Sequence, residues 1–237
     1  MCSSDLVRAI QLVNLGGLDG SLDIAFASAV NDTIGYYSND SGDGSFWFRL
    51  SLSTTAIAAR SVASGDINGD GIMDVVSASS GDNTIRWFEF GPAGMTTERI
   101  ITTTAMGARD VTVGDVDGDG DLDVIVASYY DDRIAWYENG NGDGSVWARR
   151  LVSVTADGAR SVAVADLDGD GDLDILSAST YDHTIAWYEN DGAANPTFTP
   201  RVLSAGEQGA QFVSVADLDQ DGELDVISVA EFPDAVD

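Results

Sequence analysis

Hydrophobic and polar positions alternate over short stretches of the chain, and residues 160–205 show the arrangement clearly. Residues 160–166 alternate small and β-branched side chains, residues 174–180 are a second short run, and residues 185–190 are a third run rich in aromatic side chains. Such runs predict β-strands, and no window has the i, i+3, i+4, i+7 stripe of an amphipathic helix. Residues 198–205 predict a fourth strand at a sheet edge, because Pro200 cannot donate a ladder hydrogen bond.

These four predicted strands belong to a unit that recurs along the chain. Each copy contains an acidic run, and the runs begin at Asp66, Asp115, Asp166 and Asp217, separated by 49, 51 and 51 residues. A worn copy is found by stepping 51 residues back from Asp66 to Leu15. An aromatic pair follows each of the first four copies in register: Tyr36–Tyr37, Trp87–Phe88, Trp136–Tyr137 and Trp187–Tyr188. Four short strands per unit of about 50 residues are typical of β-propeller blades. A β-sandwich fits less well, since its strands need not resemble one another.

We therefore predict an all-β fold of about four and a half propeller blades in one domain, each full blade having four antiparallel strands. The predicted units are 8–58, with a degenerate metal loop, 59–107, 108–158, 159–209 and the partial blade 210–237. Residues 1–7 are interpreted as a non-native leader, because MCSSDL matches the translation of a common sequencing-adapter end and lacks the regions of a signal peptide. The one cysteine, Cys2, falls in this leader, so cysteine content indicates nothing about disulfides.

The acidic runs have the composition of metal-binding loops. In each nine-residue run, oxygen-bearing side chains stand at positions 1, 3, 5 and 9, and glycine at position 6 allows a sharp turn that directs the carbonyl of position 7 inward. The predicted ligands are Asp66, Asn68, Asp70, Ile72 and Asp74; Asp115, Asp117, Asp119, Asp121 and Asp123; Asp166, Asp168, Asp170, Asp172 and Asp174; and Asp217, Asp219, Asp221, Glu223 and Asp225. Position 7 is expected to bind through its backbone with its side chain in solvent, and position 9 is able to use both oxygens.

Five hard oxygen ligands in a tight loop favour Ca²⁺ over the stricter octahedron of Mg²⁺, and the absence of His and Cys from the acidic runs argues against zinc. We predict about four Ca²⁺ sites. An EF-hand requires Glu at position 12, where these runs have Ser or Val, so the loops are predicted to join β-strands. The alternative is four acidic surface turns without an ion. In the worn copy Leu15 and Gly17 replace ligands and leave Asp19 and Asp23, which predicts a weak or empty site.

The charge of the chain limits its partners. The formal net charge is −29, and all eleven basic residues are arginine. Nucleic acid is therefore excluded as a partner, since phosphate binding needs a basic face. The sequence contains no apolar run of about 20 residues, so membrane insertion is not predicted. Arg60, Arg109 and Arg160 recur just before the predicted innermost strand of each blade. They form either salt bridges to neighbouring loop acids or an arginine ring at a channel mouth that meets an anionic ligand. His183, in a polar turn, is expected to be simply exposed.

The stretch GDVDGDGDLDVIVAS, followed by IAWYEN, resembles the VCBS/FG-GAP repeats, similar to those of integrin α-subunit propellers and many secreted bacterial proteins. The resemblance extends from about residue 8 to the end of the sequence. It implies a calcium-binding β-propeller, usually seven-bladed, displayed outside the cell or on its surface. The chain is then a fragment of a larger propeller, and its open blade edges are expected to favour self-association.

Two functions remain open from the sequence. The first is a non-catalytic extracellular binding or adhesion scaffold for proteins or glycans. The second is the propeller of a secreted carbohydrate-active enzyme of the polysaccharide lyase or sugar dehydratase type. Enzymes of that kind need long, irregular loops that carry His, Tyr or Lys. The short, nearly uniform loops and the lack of lysine favour the binding scaffold.

Overall fold

In the computed structural model, the chain is described over residues 7–15, 20–39 and 41–231. These residues form β-strands joined by short turns, with one 3-10 turn at Pro92–Gly94. No helix within the described ranges is long and apolar enough to cross a membrane. The strands are β1 Val7–Val13, β2 Asp23–Ser28, β3 Thr33–Ser38, β4 Phe48–Ser53, β5 Ala59–Gly65, β6 Asp74–Ser79, β7 Thr84–Phe90, β8 Thr96–Thr102, β9 Ala108–Gly114, β10 Asp123–Ser128, β11 Arg133–Asn139, β12 Trp147–Ser153, β13 Ala159–Ala165, β14 Asp174–Ser179, β15 Thr184–Asn190, β16 Phe198–Ser204, β17 Ala210–Ala216 and β18 Asp225–Ala230.

The strands make four-stranded antiparallel sheets in which spatial order follows chain order: β1–β4, β5–β8, β9–β12 and β13–β16. Within the described residues a fifth sheet has two strands, β17 and β18. This confirms the predicted all-β fold with four-stranded blades. Pro200 of β16 lies opposite Tyr188 of β15, and β16 pairs with β15 alone, so Pro200 lies in an edge strand of its sheet as predicted.

The first strands of successive sheets pack against one another. β1 contacts β5, β5 contacts β9, β9 contacts β13 and β13 contacts β17. These strands therefore line the inside of an arc, and the later strands of each sheet lie progressively further out. Over the described residues the arc is open, with β1 at one end and the β17–β18 sheet at the other. A closed ring of seven blades stays a prediction.

The core consists of layers between neighbouring blades. Trp87 of the second blade is buried together with Val124 and Tyr137 of the third. Trp136 takes the corresponding place against the fourth blade. Burying an aromatic side chain contributes on the order of 2 kcal/mol, which explains why the aromatic pair recurs once per unit. The recurring aromatic side chains therefore stabilise the packing between neighbouring blades rather than the interior of a single sheet.

Both ends of the arc expose apolar side chains. In β1, Ile10 and Leu12 are 65% and 60% exposed, and Phe212 and Val229 of the last sheet are 47% and 52% exposed. Self-association through these faces stays a prediction. Residues 1–6 of the predicted leader lie outside the described residues, while its last residue, Val7, is the first residue of β1.

Candidate metal loops and arginine mouth

The acidic runs connect the first and second strands of the blades, as predicted. Position 1 follows the first strand directly, and position 9 is the first residue of the second strand: Asp74, Asp123, Asp174 and Asp225. Because every first strand runs in the same direction along the arc, all four loops lie at the same end of the blades. The register of each strand pair fixes this placement, for example the pairing of Asp123 with Gly114 in the third blade.

Each loop is shaped by hydrogen bonds from its own backbone to its carboxylates. In the first complete loop, Asp66 accepts the N–H of Asp70 at 3.0 Å and that of Gly71 at 2.8 Å, and Asp70 accepts the N–H of Ile72 at 2.8 Å. Bonds from the same loop positions recur in the other loops. Gly71 has φ +85, a conformation that side chains disfavour, which explains the glycine at position 6.

The residue at position 9 joins the loop to the rest of its blade. Asp123 is 1% exposed; its Oδ2 accepts the N–H of Val116 at 3.1 Å, and its Oδ1 accepts that of Asn139 at 2.9 Å. One oxygen is therefore directed towards the third strand, so use of both oxygens for an ion would compete with this bond. Burial raises the pKa of Asp123 to about 7 and that of Asp74 to about 6.

Three of the loops bring carboxylates close enough to share one ion. Within each of three groups, carboxylate oxygens of three residues lie within 4.8 Å of one another: Asp115, Asp117 and Asp123; Asp166, Asp168 and Asp170; Asp217, Asp219 and Asp225. Burial, and next the charge of Asp119, raise the pKa of Asp117. The Oδ1 atom of Asp117 is buried and has no hydrogen-bond partner among the described residues. An all-oxygen donor set with a buried, unsatisfied carboxylate oxygen fits a hard divalent cation such as Ca²⁺.

Position 7 differs from the expectation of a solvent-facing side chain. Ile72 is half-buried against the core between the first two blades. Asp121 and Asp172 are half-buried because the loop between the third and fourth strands folds over them, with Gly142 and Gly192 in contact. The expectation holds for Glu223, which is exposed.

The first repeat has a different register from the one assigned to it. The Oδ2 atom of Asp23 accepts the N–H of Leu15, eight residues away, whereas the corresponding bond from Ile67 to Asp74 spans seven. Leu15 is buried like Ile67, so it stands at position 2 rather than position 1, and this loop is one residue longer. Gly17 and Asp19 lie outside the described residues, so the weak or empty site stays a prediction.

Two asparagines, not recognised from the sequence as functional, connect two of the acidic loops to the next blade. The side-chain N–H of Asn139 donates to the carbonyl of Ile67 at 2.8 Å, and that of Asn190 donates to the carbonyl of Val116 at 2.9 Å. Both carbonyls belong to position 2 of the acidic loop of the preceding blade. We call this pair the asparagine clasp. The recurrent "EN" at the end of the third strand is its only sequence signal.

A second set of bonds lies at the opposite end of the blades, between a turn of each blade and the connection that leads to the next blade. Four turn residues with positive φ each face the backbone N–H of the residue just before the next inner strand: Asp32 and Ala58, Asn83 and Gly107, Asp132 and Gly158, and His183 and Gly209. Asn and Asp tolerate this left-handed conformation better than most residues. His183 is exposed, as expected, but its Nδ1 also lies 3.0 Å from the backbone nitrogen of Gly209, so its role is structural.

Arg60, Arg109 and Arg160 come together with Arg8 at this same opposite end, where they line an open cavity of about 660 Å³ between the inner strands. Within the described ranges none of the four forms an ion pair, which disagrees with the salt-bridge interpretation. Arg60 donates to the hydroxyl of Ser80 at 3.0 Å, and the Arg109 guanidinium lies 4.7 Å from the centre of the Tyr129 ring. We refer to this group as the arginine mouth.

Comparisons with known proteins agree with this architecture. The family of FG-GAP-like repeats matches residues 18–77, 66–126, 115–177 and 166–228. No curated protein matches the chain. A solved structure of an auxiliary nutrient binding protein from Bacteroides ovatus is similar with a TM-score of 0.54 and 15% identity, over 88% of this chain and 53% of that one. The chain thus spans about half the length of that protein, and at this identity the likeness concerns the fold. Because the four matches cover most of its length, the chain belongs to the FG-GAP-like repeat family.

Proposed function

We propose that this chain is a calcium-binding β-propeller scaffold that binds proteins or glycans outside the cell and catalyses no reaction. Membership of a repeat family and a fold shared with a nutrient binding protein support the binding scaffold. The acidic loops support the ion. Sites of this kind that bind Ca²⁺ with millimolar to submillimolar affinity are filled outside the cell, which supports the extracellular location.

The observation that carries the proposal is the environment of Asp117. A buried carboxylate oxygen without a hydrogen-bond partner costs about 1–3 kcal/mol or more, and here it lies beside two further carboxylates, Asp115 and Asp123. A divalent cation removes both costs, since it supplies the missing partner and offsets the repulsion. Asp115, Asp117, Asp119 and Asp123, with the carbonyl of Asp121, would hold it.

The role of the ion would be structural. Position 1 extends directly from the inner strand, position 9 begins the second strand, and position 9 also bonds the end of the third strand. Through the asparagine clasp, the same loop contacts the next blade. Residues that hold an ion in one loop therefore fix three strands of one blade and the edge of its neighbour. The protein's part is to keep that frame rigid enough to present a constant binding surface.

An enzymatic role is the competing proposal, and the loop structure favours the scaffold. The exposed carboxylates Asp43 and Asp143 of the longer loops accept hydrogen bonds from the neighbouring Ser45 and Ser145, which lower their pKa. They are therefore ionised and serve to shape their own turns. His183 lies within hydrogen-bond distance of two backbone groups rather than beside a nucleophile.

The test is thermal unfolding of the chain with excess Ca²⁺, with Mg²⁺ and with a chelator. At a hundredfold excess over Kd, each occupied site stabilises the fold by about 2.7 kcal/mol, so the midpoint should rise clearly with Ca²⁺. An unchanged midpoint would contradict the proposal, and a rise with Mg²⁺ alone would change the ion.

A pair of variants separates coordination from simple charge reduction. Asp117→Asn removes a predicted side-chain ligand, and Asp121→Asn removes the same charge from a residue predicted to bind through its backbone. We expect calorimetry to count one site fewer in Asp117→Asn and an unchanged number in Asp121→Asn. Equal losses in the two variants would show that general electrostatics, rather than coordination, holds the ion.

A further inference from the structure

We infer that the arginine mouth is a binding site for an anionic saccharide, whose carboxylate or sulfate groups the arginines bind and whose sugar rings lie against neighbouring tyrosines. The inference rests on the proposed binding scaffold and assigns its surface and ligand class. It does not use the acidic loops, which lie at the other end of the same inner strands.

The site is repeated with the blades. Arg8, Arg60, Arg109 and Arg160 occupy the same place near the start of four successive inner strands, and Gln211 occupies it in the fifth. All five side chains line the cavity of about 660 Å³. Pockets of roughly 300–1,000 Å³ accommodate small ligands, and a row of regularly spaced donors suits a repeating oligomer.

The positive charge at this site is unbalanced, and that is unusual for this chain. The net charge is −29, and five of the seven other arginines pair with acids: Arg86, Arg99, Arg133, Arg150 and Arg201. The four mouth arginines have no such partner among the described residues. Burial, and after it the charges of Arg109 and Arg8, lower the pKa of Arg60. Mutually repelling, partly desolvated guanidinium groups favour the entry of an anion.

The described acids near the mouth form no ion pair with its arginines. Asp110 lines the cavity, but its carboxylate accepts the hydroxyls of Ser61 at 2.7 Å and Ser161 at 2.9 Å and the N–H of Val162 at 3.1 Å. Glu231 is within electrostatic reach of Arg160 and accepts a hydrogen bond from Gln211. Asp110 thus ties three blades together below the arginines, and Glu231 lies at one end of their row.

Tyrosines at the same end supply the sugar-binding faces. Tyr130 and Tyr181 are 65% and 59% exposed, and each has its ring centre 5.4 Å from that of Tyr129, which lies under the Arg109 guanidinium. Exposed aromatic faces pack against the apolar faces of sugar rings, and guanidinium groups bind carboxylate or sulfate in a bidentate manner. The combination selects a ligand that has both rings and anionic groups.

The experiment uses the whole chain with Ca²⁺ present and three probes in calorimetry: a hexamer of galacturonic acid, a sulfated hexasaccharide and a neutral glucose hexamer. We expect binding of the first or the second and none of the third. Whichever binds identifies the anionic group. Binding of neither, or equal binding of the neutral hexamer, would overturn the inference.

Variants locate the binding at the mouth. Arg109→Gln with Arg160→Gln should weaken binding about a hundredfold, at about tenfold for each bidentate guanidinium–anion pair that is removed. The matched control is Arg201→Gln, an outer arginine beside Trp187 and paired with Glu189, which should stay within about twofold of the wild type because its charge lies outside the mouth. Unchanged affinity in the double variant would refute the site. Folding of each variant is checked by the Ca²⁺-dependent midpoint of thermal unfolding. The same measurement separates this inference from the proposed calcium-binding scaffold. If Ca²⁺ stabilises the chain but no oligosaccharide binds, this inference alone is refuted.

Discussion

Replacing Asn139 by alanine should destabilise the protein far more than the loss of one polar side chain at a loop would suggest. Asn139 is 1% exposed, and its amide N–H groups donate to the carbonyls of Ile67 at 2.8 Å and Leu122 at 3.3 Å. Its Oδ1 accepts the N–H of Gly144 at 2.9 Å. Each buried group left without a partner costs about 1–3 kcal/mol, and because partial hydration offsets some of this, we expect a total of about 3 kcal/mol.

The chain offers a matched control in Asn39, which follows the third strand of the first blade. Its Oδ1 accepts the N–H of Gly44 at 3.0 Å and the hydroxyl of Ser41 at 3.4 Å, both within its own loop. Asn39→Ala removes the same atoms without breaking a described bond to another blade, so we expect a loss of about 1 kcal/mol. The difference of about 2 kcal/mol measures the clasp between blades.

The assay is urea unfolding in saturating Ca²⁺, followed by tryptophan fluorescence. Asn139→Asp gives a second test, because it keeps the acceptor for Gly144 but loses the donor to Ile67 and Leu122, and it should be nearly as costly as alanine. If Asn139→Ala and Asn39→Ala lower the free energy of unfolding equally, the bond to Ile67 contributes nothing and the reasoning about the clasp fails.

Two other changes have sharp expected outcomes. Gly144→Ala should cost several kcal/mol of stability, because a Cβ there would overlap the Trp87 ring of the preceding blade. Gly44 has a similar positive φ and open space around it, so Gly44→Ala should cost only about 1 kcal/mol. Equal losses of stability in thermal unfolding would contradict this packing. Asp110→Ala should cost about 2–3 kcal/mol, because four described donors lose their acceptor, and Asp110→Asn should cost less. Burial raises the pKa of Asp110, so the wild type should lose stability relative to Asp110→Asn as the pH rises through that pKa, and parallel stability–pH curves would refute this.

The strands and the acidic loops could be predicted because their signals are local. Alternation with period two marks a strand within a few residues, and oxygen side chains at positions 1, 3, 5 and 9 mark the loop within nine. Repetition strengthened both signals, since a pattern that occurs by chance once does not recur in register. The placement of Pro200 in an outer strand followed from one missing N–H.

What escaped prediction depends on distant contacts. The bond from Asn139 to Ile67 spans 72 residues, and nothing near Asn139 marks it as an inter-blade donor. Arg8 was overlooked for a related reason. The longer first loop shifts everything before it by one residue, so a step of 51 from Arg60 reaches Ala9 instead of Arg8. The 51-residue spacing was measured on the later copies of the repeat, so it could not reveal that the first copy contains one additional residue.

The two candidate sites lie at opposite ends of the same strands, which couples them physically. Inner strands β5, β9 and β13 have seven residues each and so span about 20 Å, with an arginine near the start and position 1 of an acidic loop directly after the end. An ion that fixes the loop ends would also fix the spacing of the arginines. A ligand that needs this spacing should then bind more weakly in a chelator, and by thermodynamic reciprocity it should tighten Ca²⁺ binding by the same factor. A Ca²⁺ titration with and without the saturating acidic hexasaccharide measures that factor. Identical Ca²⁺ affinities would show that the two ends act independently. If the affinity shifts, the double variant Arg109→Gln with Arg160→Gln locates the cause. Loss of the shift in that variant would trace the coupling to the arginine mouth rather than to Ca²⁺ bound by the sugar itself.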